Sequence, residues 1–171
     1  EHPCVVQPPG ARENNILTRC IGGGECIRAC PTSGLQPAVG EAGIEGLWTP
    51  VLVSRLGYCI YSCNACGQVC PTQAIPPLSV PEKQEKVIGL AYIDKNRCIP
   101  WVDYRDCIIC EEMCPIPHKA IKLERVELTT PDGDVVSVQQ PYVVRERCIG
   151  CGICETKCPV NGEAAIRIYV P

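Results

Sequence analysis

The dipeptide Cys-Pro occurs four times, and each time another cysteine stands four positions before it: Cys26 before Cys30-Pro31, Cys66 before Cys70-Pro71, Cys110 before Cys114-Pro115, and Cys154 before Cys158-Pro159. An internal repeat of this kind constrains the fold more than any local propensity. The fourth copy is complete and reads Cys148-x2-Cys151-x2-Cys154-x3-Cys158-Pro. The second reads Cys59-x3-Cys63-x2-Cys66-x3-Cys70-Pro and the third Cys98-x8-Cys107-x2-Cys110-x3-Cys114-Pro, so insertions fall only between the first two cysteines. The first is short of a thiol. It runs Cys20-x5-Cys26-x3-Cys30-Pro, and alignment on the fourth places Gly23 where the second cysteine belongs.

The spacing of the fourth copy is that of the bacterial ferredoxin cluster loop, in which three thiolates reach one 4Fe-4S cube and the cysteine before proline ligates the cube of a partner motif. Motifs of this type therefore work in pairs. Proline ends the loop by fixing φ and removing an N–H, and Gly22, Gly24, Gly67, Gly150 and Gly152 let backbone N–H groups approach sulfur. Outside the repeats stands Cys4, so sixteen cysteines match four clusters with four ligands each. A disulfide scaffold gives no reason for the repeated endings, and zinc ribbons separate paired cysteines by about 15–20 residues rather than gathering three or four. We therefore expect four 4Fe-4S clusters, with Cys4 supplying the ligand missing at Gly23.

With no Phe, two Trp and six Tyr in 171 residues, the chain lacks the aromatic bulk of an ordinary core, and metal centres are expected to replace it. Each oxidised cluster with its thiolates adds about two negative charges, taking the formal charge from −3 to about −11. That argues against nucleic acid and for partners with basic docking faces. No apolar run reaches the ~20 residues of a membrane span.

Extended runs precede two motifs, at Ala91-Tyr92-Ile93 and Tyr142-Val143-Val144, and apolar runs follow them, at Ala120-Ile121-Lys122-Leu123 and Ala165-Ile166-Arg167-Ile168. The fold class expected is α+β, loop-rich, with tandem bacterial-ferredoxin-like modules of βαβ type. Pro131-Asp132-Gly133-Asp134 reads as a hairpin tip. The run from Glu41 to Trp48 predicts two helical turns stopped by Thr49-Pro50, serving packing. Residues 1–15 read as an extended arm and 16–171 as the cluster domain. The chain starts at Glu1 rather than Met, which suggests a segment removed ahead of it.

The cysteine groups, with Gln7-Pro8-Pro9-Gly10-Ala11 ahead of the first and Arg147-Cys148-Ile149-Gly150-Cys151-Gly152 in the last, resemble the MauM/NapG-type periplasmic polyferredoxins from about Gln7 to the end. The resemblance implies a four-cluster electron-transfer protein, exported in folded form to the periplasm or cell exterior, that works with redox protein partners. That family is similar to the iron-sulfur subunits of molybdenum oxidoreductases, in which outer motifs pair with outer and inner with inner. The implied ligand sets are then Cys59, Cys63, Cys66 and Cys114; Cys98, Cys107, Cys110 and Cys70; Cys148, Cys151, Cys154 and Cys30; and Cys20, Cys26 and Cys158. Pairing of first with second and third with fourth stays open.

No catalytic apparatus is visible. His2 lies in the arm and His118 in a Pro-His-Lys turn, and a fully ligated cluster has no open iron. Two alternatives stand beside the electron carrier: an enzyme using an incompletely ligated first cluster, and a structural filament in which Cys4 crosses to the next chain. The fifteen residues between Cys4 and Cys20 span up to about 50 Å when extended, so the arm reaches either way.

Overall fold

The computed structural model describes residues 5–171, and all their side chains except that of Glu13. Thirteen short helices and strands follow one another: α1 (Glu13–Arg19), α2 (Glu25–Arg28), β1 (Leu35–Pro37), β2 (Pro50–Leu52), α3 (Ala65–Gln68), α4 (Val80–Gln84), β3 (Leu90–Ile93), α5 (Ile99–Val102), α6 (Ile109–Glu112), β4 (Ile121–Thr129), β5 (Val135–Val143), α7 (Ile153–Lys157) and β6 (Ile166–Tyr169). The architecture is α+β, with three separate two-stranded antiparallel sheets, β1–β2, β3–β6 and β4–β5.

Each helix of the cluster loops is one turn, because a cysteine run closed by proline leaves no length for more. The strands that flank the third and fourth motifs pair reciprocally. β3, ahead of the third motif, lies against β6, after the fourth, with Ala91 opposite Ile168. β4, after the third, lies against β5, ahead of the fourth, from Ile121–Val143 out to Thr129–Val135. The four strands expected around these motifs are therefore present, and Gly133 turns the expected hairpin with φ +91. In the first half only the inner pair exists, β1 after the first motif against β2 before the second.

Two expectations are corrected. Residues 41–48 form successive turns rather than a helix, with bonds such as Gly46 N–H to Gly43 O. Gly43 sits at φ +74, where a helix cannot continue. Ile44 and Trp48 are 88% and 60% exposed, so the segment does not serve packing. The second concerns the arm. Val6, Pro8 and Pro9 are buried, Val6 O accepts from Leu52 N–H at 2.7 Å, and α1 starts at Glu13, so the described part of residues 1–15 lies on the body.

The core is split into three small clusters around Ile121 and Ile166, around Leu35 and Leu52, and around Ile16 and Ile75. Cysteines border all three, and no described aromatic side chain is buried. The halves meet along residues 54–59 and 149–160. Arg55 donates to the carbonyls of Glu155 (3.0 Å), Cys158 (3.1 Å) and Val160 (2.6 Å). It thereby satisfies carbonyls at the C-terminus of α7, where a cation suits the helix dipole. Thr156 Oγ1 donates to Ser54 O, and Ile88 N–H to Ile149 O.

Arg55→Met should lower the stability of the cluster-loaded protein by about 2–4 kcal/mol through loss of charged hydrogen bonds across the halves. The readout is an earlier anaerobic thermal transition, partly restored in Arg55→Lys. An unchanged transition in the methionine variant would mean that the halves are held elsewhere.

Candidate metal centres

The cysteine-proline cysteines are held by one local device. In each repeat the chain turns through a left-handed residue after the Cys-Pro step, at Ser33, Gln73, His118–Lys119 and Gly162. The turn brings a later N–H back onto the sulfur. Ile75 N–H donates to Cys70 Sγ at 3.5 Å, Ala120 N–H to Cys114 Sγ at 3.3 Å and Ala165 N–H to Cys158 Sγ at 3.4 Å. Ala91 N–H does the same for Cys148 at 3.3 Å. Burial pushes the Cys30 thiol up, but hydrogen bonds from the Thr32 hydroxyl and the Leu35, Thr32 and Gly34 N–H groups outweigh it and the net shift is downward. At Cys70 burial is likewise outweighed, here by Ile75 N–H and the Thr72 hydroxyl and N–H. Hydrogen bonds of this kind favour the thiolate that binds iron.

Three cavities are lined by four cysteines each. One gathers Cys30, Cys59, Cys63 and Cys66; another Cys98, Cys107, Cys110 and Cys158; the last Cys114, Cys148, Cys151 and Cys154. A fourth place brings together Cys20, Cys26 and Cys70, which pack against the buried cluster of Ile16, Ala74 and Ile75; burial raises the Cys26 thiol and the charges of Cys20 and Cys70 raise it further. Cys4 lies outside the described residues.

These groupings correct the nested pairing expected from the molybdenum-enzyme subunits. Cys30 joins the second motif rather than the fourth, Cys70 the first rather than the third, Cys114 the fourth rather than the second, and Cys158 the third rather than the first. The reciprocal β3–β6 and β4–β5 pairs explain why. They clamp the third motif face to face with the fourth, so each cysteine before proline reaches across to the neighbouring loop.

The donor chemistry fits iron-sulfur clusters. All fifteen described cysteines are free of disulfides. Burial pushes Cys66 up to about 12, and Cys59, Cys26 and Cys63 add to it. Burial raises Cys98 to about 12 with help from Cys107 and Cys158, and Cys110 to about 12 with help from Cys98 and Cys107. Cys151 reaches about 11, and Cys154 is raised well above the usual thiol range. Thiols that repel one another this strongly need a shared cation before they ionise together. Among the described residues no three such groups converge as closely as one bare ion requires. The donor sets are instead spread around the walls of three apolar cavities, four cysteines to each.

The first loop keeps the backbone of the fourth. Gly22 and Gly24 have φ +67 and +73, against +73 and +85 at Gly150 and Gly152, and Gly24 and Gly152 each precede the one-turn helix carrying the next cysteine. Gly23 thus stands at the position of Cys151. The sequence pattern had no means of singling out Thr32, Thr72 or Ala91, although the shared Cys-Pro-Thr of the first two repeats is a signal for the threonines.

Residues 105–162, which contain Cys107 through Cys158, match the 4Fe-4S dicluster domain. The methylamine utilization ferredoxin-type proteins MauM of Methylorubrum extorquens and Paracoccus denitrificans are each 36% identical to the chain over 168 residues. The match covers 96% of the chain and 72% and 70% of these relatives. The ferredoxin-type protein NapG of Escherichia coli is 32% identical over 167 residues, 95% of the chain and 69% of NapG. With a 4Fe-4S dicluster domain and these ferredoxin-type relatives, the chain belongs to the MauM/NapG family of ferredoxin-type electron-transfer proteins.

Proposed function

We propose that the chain holds four 4Fe-4S clusters and conducts electrons along them in the spatial order first, second, fourth, third. The first site is Cys20, Cys26 and Cys70 with Cys4; the second is Cys30, Cys59, Cys63 and Cys66. The third is Cys98, Cys107, Cys110 and Cys158, and the fourth Cys114, Cys148, Cys151 and Cys154. A cube held by four thiolates takes up and returns one electron with no open iron for a substrate.

The observation that carries this order is the hydrogen bond from Cys59 N–H to Cys151 O, 2.8 Å long, which sets a ligand of the second site against a ligand of the fourth. The Cys59 charge also helps to raise Cys151. Cys26 acts on Cys66 in the same way between the first and second sites, and Cys110 on Cys154 between the third and fourth. Ligands of successive sites are therefore electrostatic neighbours along the whole chain.

Cys4 completes the first site within its own chain. The burial of Val6 against Leu35 and Leu52, in a cluster that Cys26 and Cys30 border, supports a folded-back arm over one that crosses to another copy and builds a filament. We place the protein outside the cytoplasm, as the family resemblance implies, between redox proteins that present basic faces to its negative charge. Among the described residues no helix is long and apolar enough to cross a membrane.

Anaerobically purified protein should contain about sixteen iron and sixteen sulfide per chain, and Cys4→Ser should alter one cluster while leaving a monomer. Twelve iron in the wild type would remove the first site, and a small molecule bound to the altered cluster would favour an enzyme. Cys114→Ser and Cys148→Ser should abolish the same electron paramagnetic resonance signal, and Cys59→Ser a different one. If Cys114→Ser and Cys59→Ser instead removed one common signal, nested pairing would stand. Chelation of the iron should leave no cooperative thermal transition, since the core is bordered by cysteine throughout.

A further inference from the structure

Lys83 has no part in holding a cluster, yet it is one of the few buried polar side chains, at 2% exposure. Burying an ammonium is costly unless an opposite charge meets it. Among the described ion pairs none includes Lys83. Its Nζ donates to Ile60 O at 2.7 Å and Tyr61 O at 3.2 Å, and it faces the Tyr61 ring at 6.0 Å. Those carbonyls belong to the two residues that follow Cys59. Burial pushes the Cys59 thiol up, and the charge of Lys83 nearby opposes it.

The local sequence fixes this placement. α4 is only five residues long, but Ser79 caps it, Ser79 N–H donates to Glu82 Oε2 at 2.8 Å in return, and Pro81 stiffens its first turn. Lys83 N–H closes the helix onto Ser79 O at 2.9 Å. A turn reinforced to this degree holds one side chain inward, toward the loop of the second motif.

We propose that Lys83 is a redox-tuning residue, whose buried ammonium raises the reduction potential of the cluster held by Cys30, Cys59, Cys63 and Cys66. This rests on the reading that the second site holds a cluster. The couple is one electron, received from a redox protein donor and passed to an acceptor, with no bond made and no proton moved at Lys83. Reduction takes the cluster and its thiolates from about −2 to about −3, and a fixed positive charge in a low-dielectric site favours the more negative form. Lys83 thereby biases the electron toward the inner site at the junction of the halves, where Cys59 meets Cys151.

The test is a potentiometric titration of the anaerobically loaded full chain, followed by electron paramagnetic resonance, in wild type, Lys83→Met and Lys83→Arg. In the methionine variant one cluster should reduce at a lower potential, the same cluster whose signal is lost in Cys63→Ser, while the others keep theirs. The arginine variant should retain most of the wild-type value. Superimposable titrations of wild type and Lys83→Met would overturn the proposal, and so would an equal shift of every cluster. Should Lys83→Met fail to load, wild type labelled with [ε-15N]lysine should show nitrogen hyperfine coupling to one reduced cluster, absent in Lys83→Arg; no such coupling in wild type sinks the assignment. Iron and sulfide below sixteen per chain would count against the four-cluster reading alone, leaving the single-cluster shift to be read independently.

Discussion

Burial and mutual repulsion drive the thiols of Cys66, Cys98 and Cys110 up to about 12, and the remainder of the structure is arranged around that conflict. Four cysteines facing one cavity are poor hydrophobic filling and, as thiolates, worse, because each charge raises the cost of the next. Iron resolves the conflict by giving every thiolate the same cationic neighbour. The chain needs no aromatic core because the space that Phe and Trp would fill is ringed by these ligands. Its buried apolar residues, such as Ala91, Ala120, Ile121 and Ile166, form thin walls between ligand sets. The backbone N–H groups on Cys70, Cys114, Cys148 and Cys158 then supply the remaining polar contacts to sulfur.

The same constraint explains the joining of two cysteine-rich halves in one body. An electron passes between sites faster the closer they lie, and a flexible linker between halves would leave that spacing to chance. Here Cys59 and Cys151 share a backbone hydrogen bond, and Arg55 anchors the neighbouring turn onto the carbonyls that end α7. Glycine is required where the backbones approach: a Cβ on Gly150 would lie 2.4 Å from Gly89 O, and one on Gly152 2.5 Å from Ser54 Oγ. The junction is therefore closely packed, main chain against main chain at Gly150 and Gly89, with the Arg55 and Thr156 side chains bonding across it.

The cluster loops and their flanking strands were legible because their signals are local: a cysteine spacing, a proline stop, an apolar run. The pairing was not, because nested and sequential arrangements use the same cysteines at the same spacings. The strand register, Ala91 against Ile168 and Ile121 against Val143, and the cysteines gathered at each cavity distinguish them. The turns from Glu41 to Trp48 resemble a helix in sequence because helical propensity there is ordinary apart from Gly43 and Gly46, and the positive φ of Gly43 is a conformational choice that composition does not show. Lys83 was invisible for a different reason. A lysine in a polar run reads as solvated surface, and its burial depends on a capping box that aims it at residues more than twenty positions earlier.

The first site keeps the backbone of a complete cluster loop although Gly23 stands where the fourth loop has Cys151. Glycines in the left-handed region lose more conformational freedom on folding than other residues, so a loop released from metal binding has no reason to keep two of them. Gly22 and Gly24 nonetheless hold the same conformations as Gly150 and Gly152, and the cysteine on each side, Cys20 and Cys26, still meets Cys70 from the neighbouring motif. Gly23 itself is exposed and leaves that corner of the loop without a side chain. The thiol of Cys4, proposed above as the ligand here, would meet no side chain at this corner.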